Sequence, residues 1–179
     1  MGRKVPEEPL IFLKPPSAVV GPNDLIIYPR MSKRVDYEGE LAFIIRKKAH
    51  FLNDEDEVDD YILGYTCFND VTARDWQKID SQWSRAKGSD TFAPIGPWIE
   101  TELDAGNVVV EAYLNGELKQ QVNTSDLIFP VAELVNYISQ FITLLPGDVI
   151  ATGTPAGIGP MKSGDTIEIK VEGIGTLRN

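Results

Sequence analysis

The chain has 179 residues, a length served by one hydrophobic core, since single domains run to about 100–200 residues. Hydrophobic residues make up 42% and charged residues 25%, which excludes intrinsic disorder, and no apolar run reaches the length of a membrane span. Asp and Glu total 27 against 17 Lys and Arg, and the formal charge of −10 argues against phosphate backbones and anionic lipid as partners.

Six prolines fall in the first 35 residues, at positions 6, 9, 15, 16, 22 and 29, and exclude a long helix there; "LIFLK" and "DLIIY" are predicted as short extended pieces. "DYEGELAFII", residues 36 to 45, reads as a strand. "NDEDEVDDYILGY" follows, with Asn53 as N-cap of a short acidic helix, because acids in a first turn suit the helix dipole. "YTCFNDV" is a second strand, and "TARDWQKIDSQW" a helix or helical turn with Thr72 as its N-cap. In "NVVVEAYLNGELKQQV" the pair Asn115-Gly116 predicts a hairpin with a type I′ turn. "PVAELVNYISQFITLL" places Leu134, Tyr137, Ile138 and Phe141 at helical spacing behind Pro130, and the remainder reads as strands broken by glycine turns. Strands predominate and helices do not alternate with them, so the fold class is strand-rich α+β, one domain over residues 1–179.

The single cysteine, Cys67, sits in an apolar stretch and reads as a buried, inert thiol. With no disulfide and no apolar leader after the first basic residues, the protein is expected in the cytoplasm.

Glu38 and Glu40 share a face of the predicted strand with Ala42 and Ile44. One reading is a solvated face with two acids at its end. Against it, Ala42 and Ile44 turn that face into core, where two carboxylates repel and need a cation. Oxygen donors, with one His and one Cys in the chain, select a hard ion such as Mg²⁺ or Mn²⁺, and Asp70 in "FNDVTARD" supplies a third carboxylate.

The blocks "DYEGELAFII", "GYTCFNDVTARDWQ", "RAKGSDTFAPIGPWI", "NGELKQQVNTSDLIF" and "LLPGDVIATGTPAGIGP", in that order, resemble the fumarylacetoacetate hydrolase family, including its acylpyruvate hydrolase and hydroxymuconate-pathway isomerase/decarboxylase branches. The resemblance implies a mixed β-roll, a homodimer, and one Mg²⁺ or Mn²⁺ held by Glu38, Glu40 and Asp70. It implies a small 2-oxo or enol carboxylic acid as substrate, with Lys87 as catalytic cation beside an enolate and Arg74, Gln77, Thr91 and Thr154 as substrate-binding residues. The implied reaction is hydrolysis or decarboxylation of a C–C bond in aromatic-compound catabolism, with dienoate isomerisation as the alternative. Without the motif, Lys87 would read as a surface lysine, Arg74 as a structural ion pair and the turn around Thr154 as only a turn; Arg74 is open between orienting Asp70 and reaching substrate.

The family usually carries a helical lid with a His-x-x-Glu pair upstream of its F-L-K-P block. The only histidine here, His50, follows the metal strand and reads as an exposed loop residue. A shortened form of a longer protein is expected, or else a naturally short, catalytically silent metal- and ligand-binding member.

Overall fold

The computed structural model describes residues 6–53 and 58–179. In chain order the strands are β1 (Val19–Val20), β2 (Val35–Tyr37), β3 (Gly39–Ile45), β4 (Ile62–Asn69) and β5 (Thr72–Ala73), followed by helices α1 (Arg74–Ile79) and α2 (Ser84–Gly88). Then come β6 (Ala93–Glu100), β7 (Val109–Leu114), β8 (Glu117–Asn123), helix α3 (Val131–Ser139), β9 (Val149–Ala151), β10 (Gly159–Met161), β11 (Ile167–Val171) and β12 (Gly175–Arg178). They form three sheets, ordered β1-β6-β4-β3-β9, β10-β2-β5 and β12-β11-β7-β8. All pairings are antiparallel except β1 with β6, so the strand-rich α+β expectation holds and the five-stranded sheet is mixed.

The predicted strand 36–45 is two strands. The ladder breaks at Glu38, where the chain leaves the three-stranded sheet as β2 and enters the five-stranded one as β3. Side chains satisfy the backbone at the break: the Glu38 N–H donates to Asn69 Oδ1 at 3.0 Å and the Gly39 N–H to Gln120 Oε1 at 2.9 Å. Gly39 relieves crowding at this crossing, because a Cβ there would meet Ile169 Cδ1 at 3.0 Å and Ala112 Cβ at 3.2 Å in the third sheet.

Both faces of β3 are buried throughout. Leu41 joins a core with Val35, Phe92, Ile169 and Leu177, whereas Phe43 and Ile45 join a second one beneath α3. Ala42 packs against Ala18, Phe68 and Ala93. The face that begins with Glu38 and Glu40 therefore does run into core. On α3 the inner face is Leu134, Val135 and Ile138, each burial worth about 1.5–3 kcal/mol relative to exposure. The expected Phe141 lies past the helix end and is 66% exposed, edge-to-face with Tyr137, because the helix stops at Ser139 before that residue can turn inward.

Other expectations divide. The hairpin β7–β8 turns at Asn115 (φ 53°) and Gly116 (φ 80°), both left-handed as a type I′ turn requires. Thr72 is not a cap: it is paired in β5, and Ala73 precedes α1. "LIFLK" and "DLIIY" form no ladder; the Ile27 N–H bonds the Thr91 hydroxyl instead of a neighbouring backbone. Of the acidic segment, residues 54–57 lie outside the described part, and Val58–Tyr61 is a one-turn 3-10 helix. Among the described residues no helix is long and apolar enough to cross a membrane.

Close packing of β4 on β6 yields a stability test. A Cβ on Gly64 would lie 2.5 Å from the Glu100 carbonyl oxygen and 2.7 Å from Ile99 Cγ2. Gly64→Ala is expected to cost about 2–3 kcal/mol in denaturant unfolding, because backbone on the opposing strand must move.

Candidate metal centre

Three carboxylates from separate stretches converge. Glu38 stands at the β2–β3 break, Glu40 on β3, and Asp70 in the tight link from β4 to β5, where its N–H bonds the Glu38 carbonyl at 2.9 Å. They are 7%, 4% and 2% exposed, and one oxygen from each lies within 4.8 Å of the others. The solvated-face reading is thereby excluded.

Four cations alternate with acids around this cluster. Lys87, 2% exposed on α2, donates to Glu38 Oε2 at 3.1 Å and makes a short hydrogen bond to Asp70 Oδ2. Lys14 Nζ sits 2.6 Å from Asp70 Oδ1 and donates to the carbonyls of Val71 and Lys87. Arg74 makes a short contact to Glu38 Oε1, and its Nε donates to Asp36 Oδ2 at 2.9 Å. Arg34 clasps the same Asp36 at 2.8 and 3.1 Å. The order Arg34, Asp36, Arg74, Glu38, Lys87, Asp70, Lys14 is one unbroken chain of opposite charges.

Glu40 stands outside that chain. It accepts the Gly153 N–H on Oε2 at 2.7 Å, and among the described residues no ion pair reaches it. Burial first, then the charges of Asp70 and Glu38, push its carboxyl well above the ordinary value of 4.5. Burial works against the Lys87 ammonium, yet Asp70 and Glu38 override it and hold Lys87 above its ordinary value; for Lys14, burial prevails and lowers it.

The donor set fits a hard divalent cation. Glu40 has an oxygen to offer, and the buried Asp70 Oδ1 faces the Lys14 ammonium at 2.6 Å. An all-oxygen set of three carboxylates suits Mg²⁺ or Mn²⁺ rather than a thiophilic metal.

The remaining expected residues divide. Arg74 meets Glu38 rather than Asp70, and Gln77 Oε1 accepts from Arg74 Nη1 at 2.6 Å, as their helical spacing predicts. The Thr154 hydroxyl donates to the Gly39 carbonyl at 2.9 Å and accepts from Gln120 Nε2 at 2.8 Å, beside Glu40. The Gly153 N–H, next to Thr154, donates to Glu40 Oε2. Thr91 (φ 68°) accepts the Ile27 N–H on its hydroxyl at 2.8 Å. His50 is exposed, and Cys67 is fully buried with its thiol pushed up to about 11 by burial.

Sequence reading missed Lys14, Asp36 and Gln120. The signal for the first two was a lone charge inside an apolar run, "IFLKP" and "VDY"; Gln120 had none. A cavity of about 670 Å³ lies elsewhere, lined by Arg46, Tyr65, Glu102 and Thr124 among others, and includes no member of the charged cluster.

The family model for the C-terminal domain of fumarylacetoacetate (FAA) hydrolase matches residues 1–179. This chain belongs to the fumarylacetoacetate hydrolase family. It is 50% identical to the 5-carboxymethyl-2-hydroxymuconate delta-isomerase of Mycobacterium smegmatis, whose crystal structure superposes with a TM-score of 0.95 over 100% of this chain and 71% of that one. The 2-hydroxyhepta-2,4-diene-1,7-dioate isomerase of Mycobacterium marinum is 51% identical, with a TM-score of 0.94 over 97% of this chain and 69% of that one. A mitochondrial oxaloacetate tautomerase of Xenopus laevis is 42% identical over 187 residues, 98% of this chain and 58% of the tautomerase. The expected family fold is the one these neighbours share, and the blocks that suggested it fall on β2–β5, α2–β6, the β7–β8 turn with β8, and β9 with the turn after it.

Proposed function

We propose that this chain forms the metal-binding centre of an Mg²⁺- or Mn²⁺-dependent enzyme that moves a proton on a small 2-oxo or enol dicarboxylic acid. The observation that carries the reading is the buried triad of Glu38, Glu40 and Asp70, in which Lys87 bridges Glu38 and Asp70. A divalent cation held by those carboxylates supplies Lewis acidity toward the carboxylate and 2-oxo oxygens of the substrate.

The protein's own residues do the rest. Lys87, kept cationic by its two acids, stabilises negative charge as the enolate forms and acts as a hydrogen-bond donor rather than a base at neutral pH. Arg74 and Gln77 hold Glu38 in register. Thr154 and Gln120 hold the turn whose Gly153 N–H fixes Glu40, and Thr91 anchors the segment before β2. Proton transfer is favoured over bond cleavage because the similar proteins named above are two isomerases and a tautomerase. The second reading, C–C hydrolysis or decarboxylation from the same enolate, is favoured by the family's own name. A homodimer in the cytoplasm completes the proposal.

The test is a spectrophotometric assay of keto–enol interconversion, with oxaloacetate and a hydroxymuconate-type dienoate as probes. Activity is expected with Mg²⁺ or Mn²⁺ and should vanish with EDTA. Mass spectrometry of the products separates the readings, since only cleavage lowers the carbon count. Metal-independent turnover, or none with either probe at saturating metal, overturns the proposal.

A further inference from the structure

We infer that Asp36 is a positioning residue for the metal centre: acting through Arg74, it fixes how Glu38 presents its oxygens, and Arg34 closes the pair from the solvent side. This rests on the reading of Glu38, Glu40 and Asp70 as a divalent-cation site.

Asp36 is completely buried, on the middle strand of the sheet β10-β2-β5. Both of its oxygens are engaged: Oδ1 by Arg34 Nε at 2.8 Å, and Oδ2 by Arg34 Nη2 at 3.1 Å and Arg74 Nε at 2.9 Å. Arg74 is then held on three sides, with Nε on Asp36, Nη1 on Gln77 and Nη2 on Glu38. Its backbone N–H is tied as well, to the Arg34 carbonyl at 2.8 Å.

Stability alone does not call for this arrangement, because a buried ion pair is typically no more stabilising than well-packed apolar residues of the same volume. Orientation does. A guanidinium pairs most strongly with a carboxylate through two parallel N–H donors. Left free, Arg74 would take both oxygens of Glu38 and screen them from a cation. With Nε drawn to Asp36 and Nη1 to Gln77, it touches Oε1 alone, and Oε2 is left to Lys87 and the centre of the cluster. Arg34, with a side chain 46% exposed, gives the buried Asp36 carboxylate a second cation beside Arg74.

The inference is tested by Mn²⁺ binding, measured by calorimetry and by the electron paramagnetic resonance line shape of the bound ion. Asp36→Asn is expected to raise the Mn²⁺ Kd about 10-fold, within the range for outer partners of metal ligands, and to alter the line shape. Because the effect runs through Arg74, the same change in an Arg74→Gln background is expected to shift the Kd by less than about 2-fold. A purely structural role would lower the metal-free melting temperature and leave the Kd of the folded protein alone. An unchanged Kd in Asp36→Asn, or equal losses in both backgrounds, overturns the inference. Should Asp36→Asn fail to fold by circular dichroism, Arg34→Gln takes its place, with about a 3-fold loss expected in the Arg74 background and none in Arg74→Gln; any other pattern overturns it. If the unaltered protein binds no Mn²⁺, the metal-site reading falls and this inference with it.

Discussion

Replacing Glu40 with Gln is expected to raise the melting temperature of the metal-free protein and, at the same time, to remove its binding of Mg²⁺ and Mn²⁺. Among the described residues Glu40 is the one carboxylate of the triad with no ion-pair partner, it is 4% exposed, and its neighbours Asp70 and Glu38 are both acids. Gln is close to isosteric, and its carbonyl oxygen can still accept the Gly153 N–H that Oε2 accepts now. The substitution therefore deletes a buried charge without leaving a cavity or an orphaned donor, and a gain of about 1–3 kcal/mol is expected at neutral pH. The sign follows from linkage. Glu40 has a folded pKa raised above its unfolded value, so its contribution is fully present below about pH 4.5 and is lost as pH rises through the folded value. The melting curves of the two proteins should coincide in acid and separate as pH rises, with the variant the more stable. Metal at about 1,000 times its Kd reverses the order, because it stabilises by about 4.1 kcal/mol and only the unaltered protein binds it. Differential scanning calorimetry at several pH values, with and without Mn²⁺, reads both halves. A variant that is less stable without metal, or one that still binds metal as tightly, contradicts the account.

That trade of stability for an ion site also explains what could be read from the chain. The triad was legible because its three members break a local rule: acids inside runs otherwise built for burial. Asn115-Gly116 was legible because its turn chemistry is decided by two adjacent residues. The break at Glu38 was not. Periodicity makes residues 36 to 45 one strand, and only Asn69 and Gln120, 31 and 81 positions away, supply the acceptors that let the chain change sheets there. Lys14 and Asp36 were missed because a lone charge in an apolar run does not name its distant partner, Asp70 for the first and Arg74 for the second. Phe141 was misread because nothing nearby marks the end of α3, so the helical spacing was carried beyond it.

Lys87→Met is the opposite experiment, and its expected effects are losses. The substitution keeps length and apolar volume but leaves Glu38 Oε2 and Asp70 Oδ2 without the ammonium that now joins them. Breaking a buried pair by removing one partner costs about 3–5 kcal/mol, and that is the expected deficit of the metal-free protein. Its pH dependence should differ from that of Glu40→Gln. Lys87 has a folded pKa raised above its ordinary 10.5, so its stabilisation is complete throughout the neutral range and fades only as pH rises through the folded value. The deficit should be flat near neutrality, whereas the effect of Glu40→Gln grows as pH rises from acid. Metal replaces part of the missing charge, so saturating Mn²⁺ should narrow the gap in melting temperature. Catalysis should not recover with it, because the donor opposite the developing enolate is gone: a fall in kcat of about 10²–10³-fold is expected even in fully metallated protein, as when one oxyanion donor is removed. A Lys87→Met protein that regains stability and rate together on adding Mn²⁺ would reduce Lys87 to a counter-ion. Stability regained without rate is the outcome that assigns it a part in the chemistry.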